Sequence, residues 1–278
     1  FRSRGHSPHE MIPPFHPHYD VWALAFALAF GYWYADRRLR PVLAPEAPPA
    51  TTGQKWQWYL AVVALWLVSG WPVHDIGETS LFTVHMVEHM VIALVIPPLM
   101  LRGIPRWLAD VTIGHPKVAR FIRPLAKPVP AFVLFNTTFI AIHWPDLVAL
   151  MVQGGPPHLL VHAWLFGVSI LMWMPVLSPT TAIPRLPPPG QMGYLFAQSL
   201  LPTIPASFLT FSTVPLYPVY GDAALAFGLT AVADQTIAGV IMKLGGGLLL
   251  WSTIAVIWFR WTKQEREWER LESTLRAS

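Results

Sequence analysis

Histidine is the residue whose spacing in this chain carries chemistry. His85 and His89 stand four apart, and His158 and His162 repeat the interval. Four residues is about one helical turn, so each pair presents two imidazoles on one face. Neutral imidazole binds copper, zinc, iron and nickel, and two such pairs can meet around one ion. His143, beside Trp144, and Asp234 are further candidates, as ligands or as groups that orient ligands. Met86 and Met90 adjoin the first pair, and Met151 follows the fourth apolar run. Thioether sulfur suits Cu(I), although methionine more commonly fills gaps between helices. His85-Met86-Val87-Glu88-His89 also spells H-x-x-E-H, an inverted zinc-protease pattern. That pattern works in a soluble catalytic domain with a third ligand and a cleft, which an apolar run does not supply. Glu88 projects about 100° from His89 and is read as balancing metal charge or accepting a proton. No nucleophile triad or phosphate-binding glycine loop is evident, so no covalent catalysis is expected.

The elements that must position these groups are membrane helices. Of 278 residues 54% are hydrophobic and 12% charged, with mean hydropathy +0.44; soluble domains carry roughly 25% charged residues. Fourteen tryptophans and fifteen phenylalanines argue against disorder despite 29 prolines. The absence of cysteine excludes a disulfide scaffold, a thiolate zinc site and a cysteine nucleophile. Seven runs approach the roughly 20 apolar residues needed to cross a bilayer: Tyr19–Ala35, Gln57–Val73, Ser80–Leu101, Val129–Trp144, His158–Leu177, Gln191–Ser212 and Ala224–Phe259. The last is too long for one crossing, so Ala224–Leu229 is placed outside the membrane or in its outer interface. None alternates with period two, which excludes a barrel. The expected fold is an all-α integral membrane protein, a bundle of about seven transmembrane helices.

Of the nineteen basic residues, all but Arg2, Arg4 and Lys243 fall on one side of this arrangement. That side is cytoplasmic by the positive-inside rule, so the N-terminus is outside and the C-terminus inside. The net charge of +4 is then a topology signal, and nucleic acid is not expected as a partner. The chain reads as one multi-pass domain, 1–278, of the cell membrane. It has an external tail at 1–18, a basic interfacial segment at 102–128 and a charged helical tail at 260–278. Asp36-Arg37-Arg38 closes the first run like a stop-transfer anchor. The start at Phe1 is read as an upstream segment having been removed. Entry near Ser80 places His85 about 7 Å and His89 about 13 Å deep, with Asp234 level with His89. Ionisable groups at such depth face the bundle interior and mark functional sites. His74, beside Asp75, is read as solvated, and His6, His9, His16 and His18 as an exposed, proline-broken tail. Pro97-Pro98, Pro202 and Pro205 should kink their helices and free carbonyls for neighbours to satisfy. Lys243 is expected to snorkel toward the cytoplasmic interface.

The ordered set of motifs resembles the CtaG-type cytochrome c oxidase assembly proteins. His85-Met86-Val87-Glu88-His89 is followed by Pro97-Pro98-Leu99 and Gly103-Ile104-Pro105. Then come His158-Leu159-Leu160-Val161-His162, Trp173-Met174-Pro175-Val176, Pro215-Leu216-Tyr217-Pro218, and Asp234-Gln235 with Gly239 and Met242. Together they cover most of Ser80 to Gly247. The resemblance implies a seven-span factor that supports copper insertion into a haem–copper cytochrome c oxidase. Its implied partners are oxidase subunits, membrane lipid and a soluble copper chaperone. Two other readings stay open: a redox protein binding haem through opposed histidines, and a structural accessory subunit of an oxidase complex.

Overall fold

A computed structural model describes residues 12–152, 155–221 and 223–277. His6, His9, Arg2 and Arg4 lie outside the described residues. Among the described residues the chain is helical, with no strand. The helices are α1 Tyr19–Tyr34, α2 Thr52–Val68, α3 Val73–Thr79, α4 Phe82–Gly103, α5 Arg106–Val111 and α6 Pro116–Leu125. They continue with α7 Pro128–Ile142, α8 Pro145–Val152, α9 Pro156–Leu177, α10 Pro188–Leu200, α11 Thr203–Phe211 and α12 Ala231–Arg276.

By length and apolarity α4, α9 and α12 are each able to cross a bilayer. The pairs α2–α3, bent by 43°, and α6–α7, bent by 69°, raise the number to five if each pair is one span. Several apolar helices of this kind mark a multi-pass membrane protein. The two other expected runs are the sixteen-residue α1 and a helix interrupted between α10 and α11. At the start of the seventh run the chain makes a 3-10 turn at Ala223–Phe227, and α12 starts at Ala231. The basic segment forms two short helices, α5 and α6.

Helix starts follow local chemistry. At α2 the Thr51 hydroxyl accepts from the Gln54 amide (3.2 Å), and Gln54 Oε1 accepts from the Thr51 amide (2.9 Å). This reciprocal cap satisfies two otherwise free donors. Inside α4 the expected cost of proline is visible. Pro97 has no N–H for the Ala93 carbonyl, the helix loosens to a π turn at Val91–Val95, and Trp173 Nε1 donates to Ala93 O at 3.2 Å instead. The core is built from α4, α7, α9, α10 and α12, around Phe135, Leu165, Met172, Trp173, Leu195 and Met242. A polar strut crosses it: Asn136 Nδ2 donates to Gln198 Oε1 (2.6 Å), Gln198 Nε2 to Tyr194 Oη (2.9 Å), and Tyr194 Oη to Met172 O (2.9 Å). Away from water such bonds fasten helices that have no hydrophobic drive to associate. Gly239 lets α11 and α12 approach closely, since a Cβ there would lie 2.9 Å from Ala206 O.

Candidate metal centre

The centre begins with the hairpin of α3 and α4. In the turn between them the amides of Ser80 and Leu81 both donate to Ile76 O, each at 2.9 Å. Gly77 allows the two helices to touch, because a Cβ would meet His85 N at 3.1 Å and its Cα at 3.2 Å. Tyr220 Oη donates to Gly77 O at 3.1 Å. Burial, and then the Asp234 carboxylate, push the Tyr220 phenol above its ordinary range, so it stays a donor.

Leu81 offers α4 no side-chain cap, and Asp234 supplies one from α12. Its Oδ2 accepts from Phe82 N at 2.7 Å and its Oδ1 from Thr83 N at 3.0 Å, while Thr83 Oγ1 donates to Asp234 O at 2.9 Å. A carboxylate at a helix N-terminus satisfies free donors and complements the helix dipole. The structure therefore sets Asp234 one to two turns above His89, with both oxygens engaged in holding the histidine helix.

Five imidazoles from three helices converge below this cap: His74 of α3, His85 and His89 of α4, His158 and His162 of α9. Ring centroids are 4.2 Å apart within each i,i+4 pair. Between helices they are 4.8 Å for His89–His162, 6.2 Å for His85–His162, 5.1 Å for His74–His158 and 5.9 Å for His74–His162. His89 Nε2 and His162 Nε2 are 3.0 Å apart. An ion held by two imidazoles at about 2.0 Å and a tetrahedral angle keeps their nitrogens roughly 3.3 Å apart. The four histidines paired in the sequence are thus brought together.

Two carboxylates lie among the rings. Glu88 is fully buried and accepts from His74 Nδ1 at 2.9 and 3.1 Å, with His162 Nδ1 at 3.7 Å. Glu78 Oε1 lies 2.6 Å from His158 Nδ1 and 3.4 Å from His74 Nε2. One donor atom each from His74, Glu78 and His158 lies within 4.8 Å of the others, a spacing that admits a cation. His158 Nδ1 also faces Met151 O at 3.0 Å. With two acceptors before it, Nδ1 carries the proton and Nε2 keeps a lone pair.

That Nε2 is buried without a partner, and so are His85 Nδ1, His89 Nδ1 and His143 Nε2. Buried polar atoms without partners are rare in folded proteins, and an ion is one thing that completes them. The donor set of imidazole with carboxylate fits a transition metal ion.

His143 stands apart from the ring cluster. Its Nδ1 donates to Phe139 O at 2.6 Å, and its carbonyl accepts from Tyr217 Oη at 2.9 Å. It shares a cavity of about 40 Å³ with His89, lined also by Met86, Met90, Met172 and Met242. Lys243 lines this cavity too.

Two participants were not legible as such in the sequence. His74 is not solvated: its side chain is 13% exposed and lies between Glu78 and Glu88. The chain bends by 43° after α2, and α3 packs beside α4, which carries His74 and Glu78, themselves four residues apart, onto the cluster. That i,i+4 pair was the available signal. Of the tail histidines, His16 is exposed as expected, whereas His18 is held by the protein, its Nε2 lying 2.8 Å from Asp75 Oδ2.

The sequence profile described as "Cytochrome c oxidase caa3 assembly factor (Caa3_CtaG)" matches residues 30–264. The chain is also similar to uncharacterized proteins of mycobacteria. Mb0105 of Mycobacterium bovis and MT0111 of Mycobacterium tuberculosis are each 27% identical over 269 residues, covering 88% of this chain and 39% of theirs. ML1998 of Mycobacterium leprae is 26% identical over 268 residues, with the same coverage. The chain thus spans about two fifths of the length of the curated relatives it matches. No solved structure matches it. With most of its length matched, and all five clustered imidazoles inside the match, the chain belongs to the cytochrome c oxidase caa3 assembly factor family.

Proposed function

We propose that this chain is a seven-span protein of the cell membrane, with its N-terminus outside, that holds copper among its clustered imidazoles and supports copper insertion into a haem–copper cytochrome c oxidase. The observation that carries this reading is the meeting of five rings from three helices, with unpartnered nitrogens among them and two carboxylates beside them. The family description supports the oxidase.

In this reading His85, His89, His158 and His162 are ligands, and His74 with Glu78 completes the set on the outer side. Glu88 orients His74 and offsets part of the ion's charge. His143 acts across the small cavity, and Asp234 acts by holding α4. A crowded set of imidazoles offers more donors than one ion needs. Copper can then leave by exchanging one nitrogen at a time for a donor of the partner, with no covalent chemistry by the chain itself. Oxidase subunits are the acceptors in this scheme and a soluble copper chaperone the donor.

The test is metal analysis and a visible spectrum on purified protein, wild type against His85→Ala and His162→Ala. Copper in the wild type that falls in both variants is the expected result. Unchanged copper content in both discards these ligands. A haem between two axial imidazoles needs their nitrogens about 4 Å apart with the macrocycle between, and the 3.0 Å between His89 and His162 leaves no place for one there. A Soret band overturns that reasoning. Metal-free protein co-purifying stoichiometrically with the oxidase indicates a structural subunit.

A further inference from the structure

The cluster is continued outward by residues of the tail. Pro13 O accepts from Trp71 Nε1 at 2.9 Å, and Phe15 sets its ring edge-on against Trp71 at 5.4 Å. These contacts lay residues 13–18 against the start of α3. His16, His18 and Asp75 then each offer one donor atom, all within 4.8 Å of one another. His16 is exposed, whereas the side chains of His18 and Asp75 are each 15% exposed. The group therefore runs from solution into the protein. His16 and His18 rings are 5.3 Å apart, and His18 lies 5.2 Å from His74. From His74 the next ring is His158 at 5.1 Å, then His162 at 4.2 Å, then His89 at 4.8 Å. No step in this series exceeds 5.3 Å, and it ends at a buried residue.

Such spacing has a chemical use. Two imidazoles on one ion place their centroids roughly 5 Å apart, so neighbouring rings can share an ion while it passes between them. An exposed donor set ahead of a buried one also removes a kinetic problem. A hydrated cation loses its water in stages, each replaced by a nitrogen or carboxylate, and the anionic Asp75 draws it in.

We infer that His16, His18 and Asp75 form an entry site at which a hydrated transition metal cation is captured and handed through His74 to the buried cluster. This inference rests on the metal-holding reading above. It adds that loading has its own residues, separate from retention.

The test is a time course of copper uptake, with a copper salt alone as probe, by the full chain in lipid nanodiscs. The His16→Ala/His18→Gln double variant and Asp75→Asn are compared with wild type. Initial uptake at least tenfold slower, the low end of electrostatic and capture effects on association, with unchanged copper content at saturation, is the expected result. Wild-type protein that takes up no copper overturns the metal-holding reading and this inference with it. Variants that load at the wild-type rate overturn the entry site and leave the centre standing. Folded variants, by circular dichroism, that also lose copper at saturation place these residues in retention and overturn their assignment to entry.

Discussion

Glu88 is the anion on which the imidazoles lean, fully buried and hydrogen-bonded to His74. A carboxylate behind a metal-binding histidine fixes the ring's tautomer and raises its basicity, and losing one typically costs 10–100-fold in metal affinity. Glu88→Gln keeps the shape and removes the charge, so copper affinity should fall by at least about tenfold, as read by chelator competition. Acid should act in the same direction. Protons compete for the lone pairs that bind the ion, so copper content should be full at neutral pH and fall as the solution is acidified. Equilibrium dialysis from pH 8 to pH 5 checks the sign. At this scale the sequence showed the two histidine pairs because an interval of four needs only one straight helix. Glu88 was harder to place. A helical wheel puts it away from His89, and only the packing of α3 beside α4 brings it a partner.

Positions along a helix are set by what holds its ends, and here Asp234 does that for α4. Its two oxygens serve the buried amide of Phe82 and the half-buried amide of Thr83, and Asp234→Ala would leave both donors without that acceptor. Charged hydrogen bonds and orphaned donors of this kind cost about 3 kcal/mol. The variant should melt lower in detergent, and its copper content should fall although no ligand has been touched. Depth counted from the start of an apolar run had set Asp234 level with His89. The run begins at Ala224, but the helix begins only at Ala231, which lifts the carboxylate to the top of α4. The existence of α4, α9 and α12 was legible from apolar length alone. The bends were not, because nothing in a hydropathy window distinguishes a span that ends at Val73 from one that bends there and continues as α3. Of the proline reading at α4 the freed carbonyl is seen: that of Ala93 has a partner, Trp173, although the sequence could not name which residue would supply it.

For the molecule as a whole, sidedness is the property on which the proposed function depends. In the proposed topology Arg37, Arg38, Arg102, Lys117 and Arg260 mark the cytoplasmic face by the positive-inside rule. Since the chain has no cysteine, single cysteines can be introduced without background. A membrane-impermeant maleimide should label one placed at Ser273 only after the membrane is opened, and one placed at Phe15 in intact cells. The reverse pattern would overturn the proposed topology. The geometry of α3 also bears on how copper leaves. Turned 43° from α2 and hydrogen-bonded by Tyr220, this short helix carries His74 into the cluster, and the tail packs against it through His18 and Trp71. A bulky hydrophilic chelator should therefore strip loaded protein slowly, at a rate set by lifting of residues 13–18. Trp71→Ala, which unfastens that tail, should make stripping faster without weakening equilibrium affinity.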